Sequence, residues 1–191
     1  IVTNYFQCNY WGGKGAKRAV LARELNLDEI LNIKKHANVE IEVQVHGMTC
    51  MFQSKRMLLG NYYTFQDRQM KIQRSENDQD LLLYDEEREN KYPVFEDYNG
   101  THIMSPNDIC LIEELEPFFE ANIDSFKIDG ILQSEAYINT VTAQYREAID
   151  LYHEDPEAYE DEKFMLIDPI EEIQPEHRPF DEGFLYKQTV Y

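Results

Sequence analysis

The sequence predicts an α/β fold with a parallel sheet. Predicted helices and strands alternate along the chain, apart from one polar excursion that contains a hairpin. Strands that are separated by helices pair in parallel through right-handed crossovers. The clearest strand, Val39 to His46, alternates apolar and polar side chains, which is typical of a strand with one buried face. The order of the elements and this alternation together indicate the α/β class.

Three further elements are predicted at the start of the chain, before this strand. A helix from Thr3 to Trp11 is predicted to end at the glycine pair that follows it, because glycine adopts the left-handed terminal conformation easily. The apolar run within Arg18 to Arg23 predicts a buried strand. Leu27 to His36 carries apolar residues at helical spacing and acidic residues in its first turn, which predicts a second helix.

The middle of the chain, residues 61–105, is predicted to be an excursion from the α/β pattern. Residues 66–91 are polar, charged and without an apolar period, so they are expected to form an insertion. Tyr92 to Met104 has apolar pairs on both sides of an Asp-Tyr-Asn-Gly turn, which predicts a β-hairpin.

The last third returns to helices and strands. Ser105 followed by Pro106 is a typical helix start, so a helix that buries Ile109 is predicted next. Ser125 to Gly130 alternates like a strand, and Ser134 caps a long helix with an apolar stripe. After residue 156 the chain is acidic and has little period, and a closing strand is predicted near its end, among residues 184–191.

The composition excludes two classes of protein. The 191 residues include 18 Lys+Arg and 37 Asp+Glu, for a formal net charge of −19. No apolar run approaches the ~18 residues that a membrane span needs, and a chain this acidic does not as a whole bind phosphate groups. Residues 1–60 are an exception, with eight basic and five acidic side chains. Six of these basic residues are either contacts for an anion or simply a basic face in contact with solvent: Lys14, Lys17, Arg18, Arg23, Lys55 and Arg56.

The polar faces of two predicted strands are the candidate site. Opposite the apolar faces lie Glu42, Gln44 and His46 on one strand and Ser125, Lys127 and Asp129 on the other. In a barrel, polar side chains near the carboxyl ends of the strands form the active site. On a one-sided sheet, the same face is exposed to solvent and has no chemistry. The residues predicted at the strand ends are Arg23, Glu24, His46, Lys127 and Asp129.

Five segments carry a resemblance to a known family. Residues 42–50 read Glu-Val-Gln-Val-His-Gly-Met-Thr-Cys, which resembles the Glu-x-x-x-His-Gly-x-x-Cys signature of the collagenase-like peptidases, family U32. Residues 96–105, 107–110, 125–130 and 145–150 are similar to further blocks of that family, in the same order. The resemblance spans Arg18 to Tyr152 and is closest to short Gram-positive members that occur as paired paralogues.

The resemblance implies a TIM-like barrel. Because the sequence begins at Ile1 without an initiating Met, we expect this chain to be the C-terminal half of such a barrel. Residues 1–155 are then a partial barrel domain with the excursion inserted, and residues 156–191 an acidic C-terminal tail with the closing strand. A half barrel leaves strand edges unpaired, which predicts self-association or pairing with a paralogue.

The resemblance allows three functions. The first is a cytoplasmic subunit of tRNA wobble-uridine 5-hydroxylation, with prephenate as co-substrate and tRNA bound through the full-length protein. The second is a peptidase, in which His46 and Cys50 would form a thiol–imidazole pair, although the same two residues could be structural. The third is a non-catalytic partner of a paralogue. The implied catalytic residues are His46, Cys50, Lys127 and Asp129, and the implied substrate contacts are Arg23, Glu24, Glu42 and Asn107.

The cofactor that the resemblance suggests is an iron–sulfur cluster. Related hydroxylation proteins hold such a cluster on four cysteines. Cys50 and Cys110 match two of those ligand positions, whereas Met57 stands at a third and no cysteine lies near Arg74. We therefore expect no cluster on this chain alone, and a cluster only in a paralogous partner. The three cysteines otherwise fit a reduced cytoplasmic setting.

Overall fold

The fold is taken from a computed structural model, which describes residues 1–67, 81–87 and 89–188. The chain separates into two units, unit 1 (Ile1–Gly47 with Asp108–Tyr191) and unit 2 (Met48–Asn107). In chain order the elements are α1 (Tyr5–Gly13), β1 (Arg18–Val20), α2 (Leu27–His36), β2 (Glu40–Gly47), β3 (Cys50–Ser54), α3 (Leu58–Phe65), β4 (Leu82–Asp85), β5 (Asn90–Asp97), β6 (Gly100–Met104), β7 (Asp108–Cys110), α4 (Glu116–Glu120), β8 (Ser125–Asp129), α5 (Glu135–Glu154), α6 (Pro156–Leu166), α7 (Asp168–Glu171) and β9 (Phe180–Asp181).

Strand β2 is the centre of the sheet of unit 1. Strands β1 and β8 both pair with it in parallel, and they lie on its two opposite edges because Glu42 is in register with a residue of each. Strand β7 pairs with the end of β2 in the antiparallel direction, and β9 pairs with β7 in parallel. The predicted α/β class is confirmed, and so is parallel pairing of its main strands. This order of strands does not close into a barrel within the described residues.

Local sequence explains why the helices of unit 1 begin where they do. The side chain of Asn26 accepts a hydrogen bond from the Glu29 backbone, and the Glu29 carboxylate accepts one from the Asn26 backbone, which forms a capping box at α2. Ser134 caps α5 in the same manner through the Tyr137 backbone, as predicted. The predicted bounds of α2, Leu27 to His36, match the structure.

The core of unit 1 lies between the sheet and its helices. The apolar face of β2 is almost entirely buried, with Ile41 and Val45 at 0% exposure. The stripe of α5 that packs on the core consists of Tyr137, Val141, Tyr145 and Ala148. Residues after 156 contribute as well, because Tyr159 of α6 and Ile170 of α7 are fully buried. Residues 156–188 therefore form packed helices and the short strand β9, rather than an acidic extension without period.

Unit 2 consists of a four-stranded antiparallel sheet in the order β3-β6-β5-β4, with helix α3. The predicted hairpin is confirmed, since β5 and β6 pair on either side of a tight turn at 98–99. Gly100 has a φ of +119°, and a Cβ there would lie 1.9 Å from the Ser54 carbonyl oxygen. Only glycine fits this position.

Two predictions of local structure need correction. The helix predicted after Ser105 is wrong, because residues 108–110 form strand β7 and the next helix starts at Glu116. Asp108, Ile109 and Cys110 are all buried, and continuous burial over three residues suits a strand covered on both faces. The closing strand lies at β9, earlier than predicted, and Phe184–Lys187 forms a turn. Residues 68–80 of the predicted insertion and 189–191 of the predicted closing strand lie outside the described residues.

None of the helices formed by the described residues has the length and apolar character needed to cross a membrane.

Candidate functional site

The polar face of β2 and β8 holds a partly exposed ion pair. The parallel register places Glu42 beside Ser125 and Gln44 beside Lys127. The ammonium of Lys127 lies 3.3 Å from an Asp129 carboxylate oxygen, with side-chain exposures of 41% and 26%. Both charges therefore remain in contact with solvent while they touch each other. The structure brings these two predicted catalytic residues together.

Glu42, a predicted substrate contact, is held on the same face by fixed partners. Its carboxylate accepts hydrogen bonds from the Ser125 hydroxyl at 3.1 Å and from the Arg18 guanidinium at 3.3 Å. Arg18 also donates to Glu40 at 2.9 Å. Since two carboxylates neutralise Arg18, this arginine is engaged within the protein, and Glu42 organises the face beside Lys127.

His46 lies in the interior, although the alternation of β2 predicts it on the polar face. The register between β2 and β8 shifts between Gln44 and His46, which marks a β-bulge. A shift of one residue reverses the side of the sheet to which the following side chains point. His46 is 0% exposed. The structure therefore does not bring His46 to Lys127 and Asp129.

Both ring nitrogens of His46 are next to tyrosine hydroxyls of α5. Nε2 lies 2.9 Å from the Tyr137 hydroxyl, and Nδ1 lies 3.5 Å from the Tyr145 hydroxyl. Tyr137 donates its only hydroxyl proton to the Gln174 side-chain oxygen at 2.6 Å. Its oxygen must then accept from His46, so the proton of the neutral imidazole is on Nε2. Burial lowers the pKa of His46 to about 4, so this ring is neutral at pH 7.

The hydrogen bonds continue from Tyr137 to a buried ion pair. Gln174 donates to an Asp108 carboxylate oxygen at 2.8 Å and to the Arg178 carbonyl oxygen at 2.7 Å. Arg178 donates to the two oxygens of Asp108 at 2.5 and 3.1 Å, with side-chain exposures of 5% and 0%. We call the connected set Arg178, Asp108, Gln174, Tyr137, His46 and Tyr145 the buried polar network.

Tyr145 connects the network to two strands. Its hydroxyl donates to the Val45 carbonyl oxygen at 2.8 Å and accepts from the Leu111 backbone at 3.1 Å. Burial raises the pKa of Tyr145 and of Tyr137, so both phenols remain protonated at neutral pH. The network as a whole contains one compensated ion pair and otherwise neutral groups. This arrangement holds the end of β2 in place rather than transferring protons to a ligand.

Gly47 fixes the spacing between the end of β2 and Asp129. It has a φ of +99°, and a Cβ at this position would lie 2.1 Å from the Asp129 carbonyl oxygen. Any other residue would force the two strands apart. The His-Gly pair of the sequence motif therefore has a physical basis: His46 anchors the strand in the core, and Gly47 lets β8 approach closely.

The cysteines do not form a metal site in the described part of the chain. Cys110 is buried, its sulfur lies 3.8 Å from the Tyr145 hydroxyl, and burial raises its pKa to about 11. In these surroundings the free thiol of Cys110 keeps its proton at neutral pH. Cys50 belongs to unit 2, where its thiol donates to the Phe52 carbonyl oxygen at 3.4 Å. No three His, Cys, Asp or Glu side chains among the described residues could hold a metal ion together.

The remaining predicted contacts are dispersed. Arg23 and Gln44 line one small cavity of about 20 Å³ in unit 1, which has room for a single water molecule. Glu24 is exposed, directly after Arg23. Asn107 belongs to unit 2 and is partly buried. The roles predicted for these residues stay predictions.

Sequence reasoning missed five members of the buried polar network as site residues, namely Asp108, Tyr137, Tyr145, Gln174 and Arg178. One signal was available for Arg178, because it is one of three basic residues in residues 151–191, where twelve are acidic. An isolated cation in an acidic segment is a candidate for a specific carboxylate partner. Its partner, 70 residues earlier in the chain, could not be identified from spacing.

Comparison with known proteins identifies relatives. The sequence profile described as Peptidase family U32 matches residues 1–190. Over 189 residues the chain is 60% identical to tRNA hydroxylation protein P2 of Bacillus subtilis. The aligned region covers 99% of this chain and 61% of that protein. Over 165 residues it is 35% identical to tRNA hydroxylation protein P1 of the same bacterium, with coverages of 86% and 39%.

More distant relatives carry a similar name. The chain is 28% identical over 227 residues to tRNA hydroxylation protein P of Escherichia coli, with coverages of 97% of this chain and 49% of that protein. No solved structure matches the chain. Across these three relatives, the chain spans between 39% and 61% of their own length.

Proposed function

The chain belongs to peptidase family U32, and we propose that it acts as a subunit of a tRNA wobble-uridine 5-hydroxylation system. The observation that carries the proposal is the 60% identity, over 99% of this chain, to a protein named tRNA hydroxylation protein P2. More distant matches in other bacteria have names of the same kind. The chain spans 61% of the P2 protein, so the activity of a whole protein is inferred here from its larger part.

The exposed ion pair on β8 is the proposed contact for an anionic co-substrate. Lys127 is 41% exposed and, as far as the described residues go, is paired with Asp129 alone, so it can bind a second anion without first leaving a buried site. Prephenate, the proposed co-substrate, carries carboxylate groups that suit an ammonium partner. Asp129 holds Lys127 in position, and the proposed further contacts are Glu42 of the adjacent strand β2 and Arg23 of the turn that follows β1. Glu24 would adjoin them from the same turn.

His46 is a positioning residue in this proposal. It has no exposed surface, and its ring nitrogens lie against two tyrosine hydroxyls. A general base must reach the proton that it removes. A peptidase mechanism with His46 activating the Cys50 thiol therefore has no support from the surroundings of His46. The peptidase alternative rests on the family name and on one relative, 30% identical to this chain, that is named as an uncharacterized protease. Cys50 and Asn107, in unit 2, have roles that only the sequence suggests.

We propose a paralogue as the partner of this chain. Proteins P1 and P2 both occur in Bacillus subtilis, and both resemble this chain. Met57 stands at one of the four cluster-ligand positions that the family resemblance implies, so we propose that an iron–sulfur cluster would be held by the paralogue. The alternative is that this chain is a non-catalytic partner of the paralogue. Co-purification of the two proteins, together with a measurement of tRNA hydroxylation, would distinguish this alternative from a catalytic role.

The architecture and the location are proposed with the function. Strands β1, β2 and β8 are parallel and are connected through helices, which supports a TIM-like barrel of which this chain forms the C-terminal half. The three cysteines are free thiols, which supports a cytoplasmic location.

The test is a measurement of tRNA nucleosides in a strain that lacks the gene. Cells are grown without oxygen, so that hydroxylation by molecular oxygen does not contribute, and total tRNA is digested. We expect 5-hydroxyuridine derivatives of the wobble position to disappear and to return with a wild-type copy. An unchanged nucleoside profile would contradict the proposal. Gelatin turnover by the purified protein that is lost in Cys50→Ala would favour the peptidase alternative.

A further inference from the structure

Helix α1 exposes three neighbouring aromatic side chains. Phe6, Tyr10 and Trp11 are 69%, 59% and 54% exposed, and Cys8 is the buried residue of this helix. A helix on the surface of a globular protein ordinarily turns its aromatic residues toward the core. We call these three side chains the α1 aromatic face.

The three rings form one continuous surface. Phe6 and Tyr10 are four residues apart and therefore lie on the same side of the helix. The rings of Tyr10 and Trp11 meet edge to face, with 5.2 Å between their centroids. Exposed aromatic groups that adjoin one another mark an interaction site more strongly than isolated ones do.

The surroundings of this face are basic in a chain whose net charge is −19. No Asp or Glu occurs in residues 1–18, which contain Lys14, Lys17 and Arg18. The ammonium of Lys14 lies over the Tyr10 ring, 5.7 Å from its centroid. Glu40 and Glu42 neutralise the Arg18 charge, so this arginine does not contribute to the basic region. Neither Lys14 nor Lys17 forms an ion pair with a residue of the described ranges, so their charges are available to an outside anion.

The end of α2 extends this basic region. Asn9 of α1 donates to the His36 carbonyl oxygen at 3.1 Å and accepts from the Asn38 backbone at 2.8 Å, which joins the two helices. The last turn of α2 contains Lys34, Lys35 and His36. Lys34 is paired with Asp124, whereas Lys35 is exposed and has no ion pair among the described residues.

The helix is held rigidly enough to present its rings. The Asn4 side chain accepts from the Gln7 backbone at 3.0 Å and so caps the helix. Just before it, Val2 forms a parallel bridge with Leu21 at the end of β1. Gly12 packs so closely against the Asn38 and Val39 side chains that a Cβ would lie 2.6 Å from Val39. The two ends of α1 are therefore both attached to unit 1.

Exposed aromatic rings beside free lysines match the chemistry of single-stranded RNA. Unpaired bases stack on such rings, and the lysines meet the phosphates. We propose that the α1 aromatic face binds single-stranded RNA by base stacking, an inference that rests on the proposed function and supplies its substrate contact. A protein partner would be expected to meet an apolar surface with few unpaired charges, whereas Lys14 and Lys17, which have no ion pair within the described ranges, belong to this region.

The experiment uses Trp11 as a reporter, because it is the one tryptophan of the chain. The purified protein is titrated with a uridine-rich single-stranded RNA, and separately with a fully paired RNA duplex of equal length. We expect saturable quenching of the tryptophan fluorescence by the single strand and at least about tenfold weaker binding of the duplex. The affinity should fall with salt, with a slope that corresponds to about two phosphate contacts.

Two variants test the surface itself. The double variant Phe6→Ala/Tyr10→Ala should bind the single strand at least about tenfold more weakly, and Lys14→Ala/Lys17→Ala should reduce the salt slope by about one to two. The matched control Phe164→Ala removes a ring that is 61% exposed on α6 and should bind like the wild type. Circular dichroism confirms that each variant is folded.

Three outcomes would overturn the inference: no quenching by RNA, unchanged binding by Phe6→Ala/Tyr10→Ala, or self-association that this double variant abolishes while RNA does not bind. Failure of the RNA-binding inference can be distinguished from failure of the proposed function. If the gene deletion removes wobble 5-hydroxyuridine and the double variant binds RNA normally, the function holds and the RNA-binding surface is wrong. If RNA binds at α1 and the deletion changes no nucleoside, the surface holds and the function is wrong.

Discussion

Two of the carboxylate–cation pairs of unit 1 lie in opposite surroundings. Asp108 and Arg178 are 0% and 5% exposed, and Gln174 bonds both of them. Lys127 and Asp129 are 41% and 26% exposed, at 3.3 Å from each other. One carboxylate–cation pair thus lies in the core, and the other lies on the polar face of the sheet.

The difference between the pairs indicates their roles. A buried charge that loses its partner remains without solvation, so the members of the buried pair depend on each other. An exposed pair contributes little to stability, because water replaces either partner. The exposed pair can therefore exchange a contact for a ligand, whereas the buried pair can only hold the fold. Our proposal therefore gives the buried pair Asp108–Arg178 a structural role and the exposed pair Lys127–Asp129 a ligand-binding role.

The largest effect is expected where the buried pair is broken. Arg178→Met should lower the free energy of unfolding by about 3–5 kcal/mol, because it leaves the Asp108 carboxylate buried and uncompensated. The control is Arg146→Met, which removes an exposed i,i+4 pair with Asp150 on α5 and should cost less than about 0.5 kcal/mol. Urea denaturation measures both. Equal losses in the two variants would remove the distinction between core and surface pairs.

The pH dependence of stability sharpens the comparison at His46. Its pKa is about 4 in the folded chain, against about 6.5 when it is unfolded, because the charged ring is not solvated in the core. The unfolded chain therefore binds the proton first as the pH falls. The contribution of neutral His46 to the free energy of unfolding is fully present above pH ~6.5. About 3 kcal/mol of it is lost as the pH falls from ~6.5 to ~4.

The variant His46→Gln isolates this contribution, since glutamine does not titrate. The difference in unfolding free energy between wild type and variant should shrink steadily from pH 7 to pH 4.5, as followed by urea denaturation. A difference that is constant over this range would show that His46 does not titrate between the two states, and would contradict its neutral, buried role.

A smaller effect is expected for one hydroxyl of the network. Tyr137→Phe removes the acceptor for His46 and the donor to Gln174, at 2.9 and 2.6 Å. It should cost about 1–3 kcal/mol, because partners are left unsatisfied in the core. Tyr98→Phe, at a position that is 93% exposed, should be neutral. Thermal unfolding followed by circular dichroism distinguishes them, and two equal melting temperatures would argue against the network.

The smallest effect on stability is expected at the exposed pair. Lys127→Met should change the free energy of unfolding by less than about 1 kcal/mol, because its partner Asp129 remains accessible to water. Urea denaturation under the conditions used for Arg178→Met compares the free energies of unfolding of the two variants directly. A loss as large as that of Arg178→Met would place Lys127 among the residues that hold the fold.

Local patterns predicted much of the fold. Strand β2 with its alternation as far as Gln44, helix α2, helix α5 with its Ser134 cap, and the β5–β6 hairpin depend on residues close in sequence, and all of them are confirmed. Strand β7 was missed because a Ser-Pro start favours a helix locally, whereas pairing with the end of β2 determines the strand. Such pairing over 60 residues has no local signal.

The candidate site was predictable only in part. Alternation in β8 placed Lys127 and Asp129 on one face, where the structure has them as an ion pair. His46 was expected beside them, but the bulge after Gln44 leaves no trace in the pattern of apolar and polar residues. The long-range partners of Asp108 and Tyr137 come from residues 174 and 178, which composition alone marks as acidic surface.

The central claim is that the exposed pair, and not the buried polar network, serves the reaction. The most direct measurement is the amount of wobble 5-hydroxyuridine per molecule of protein in a deletion strain that carries either Lys127→Met or the control Arg146→Met. We predict a loss of at least about tenfold for Lys127→Met, with an unchanged melting temperature, and wild-type levels for Arg146→Met. Full hydroxylation in the Lys127→Met strain would contradict the claim.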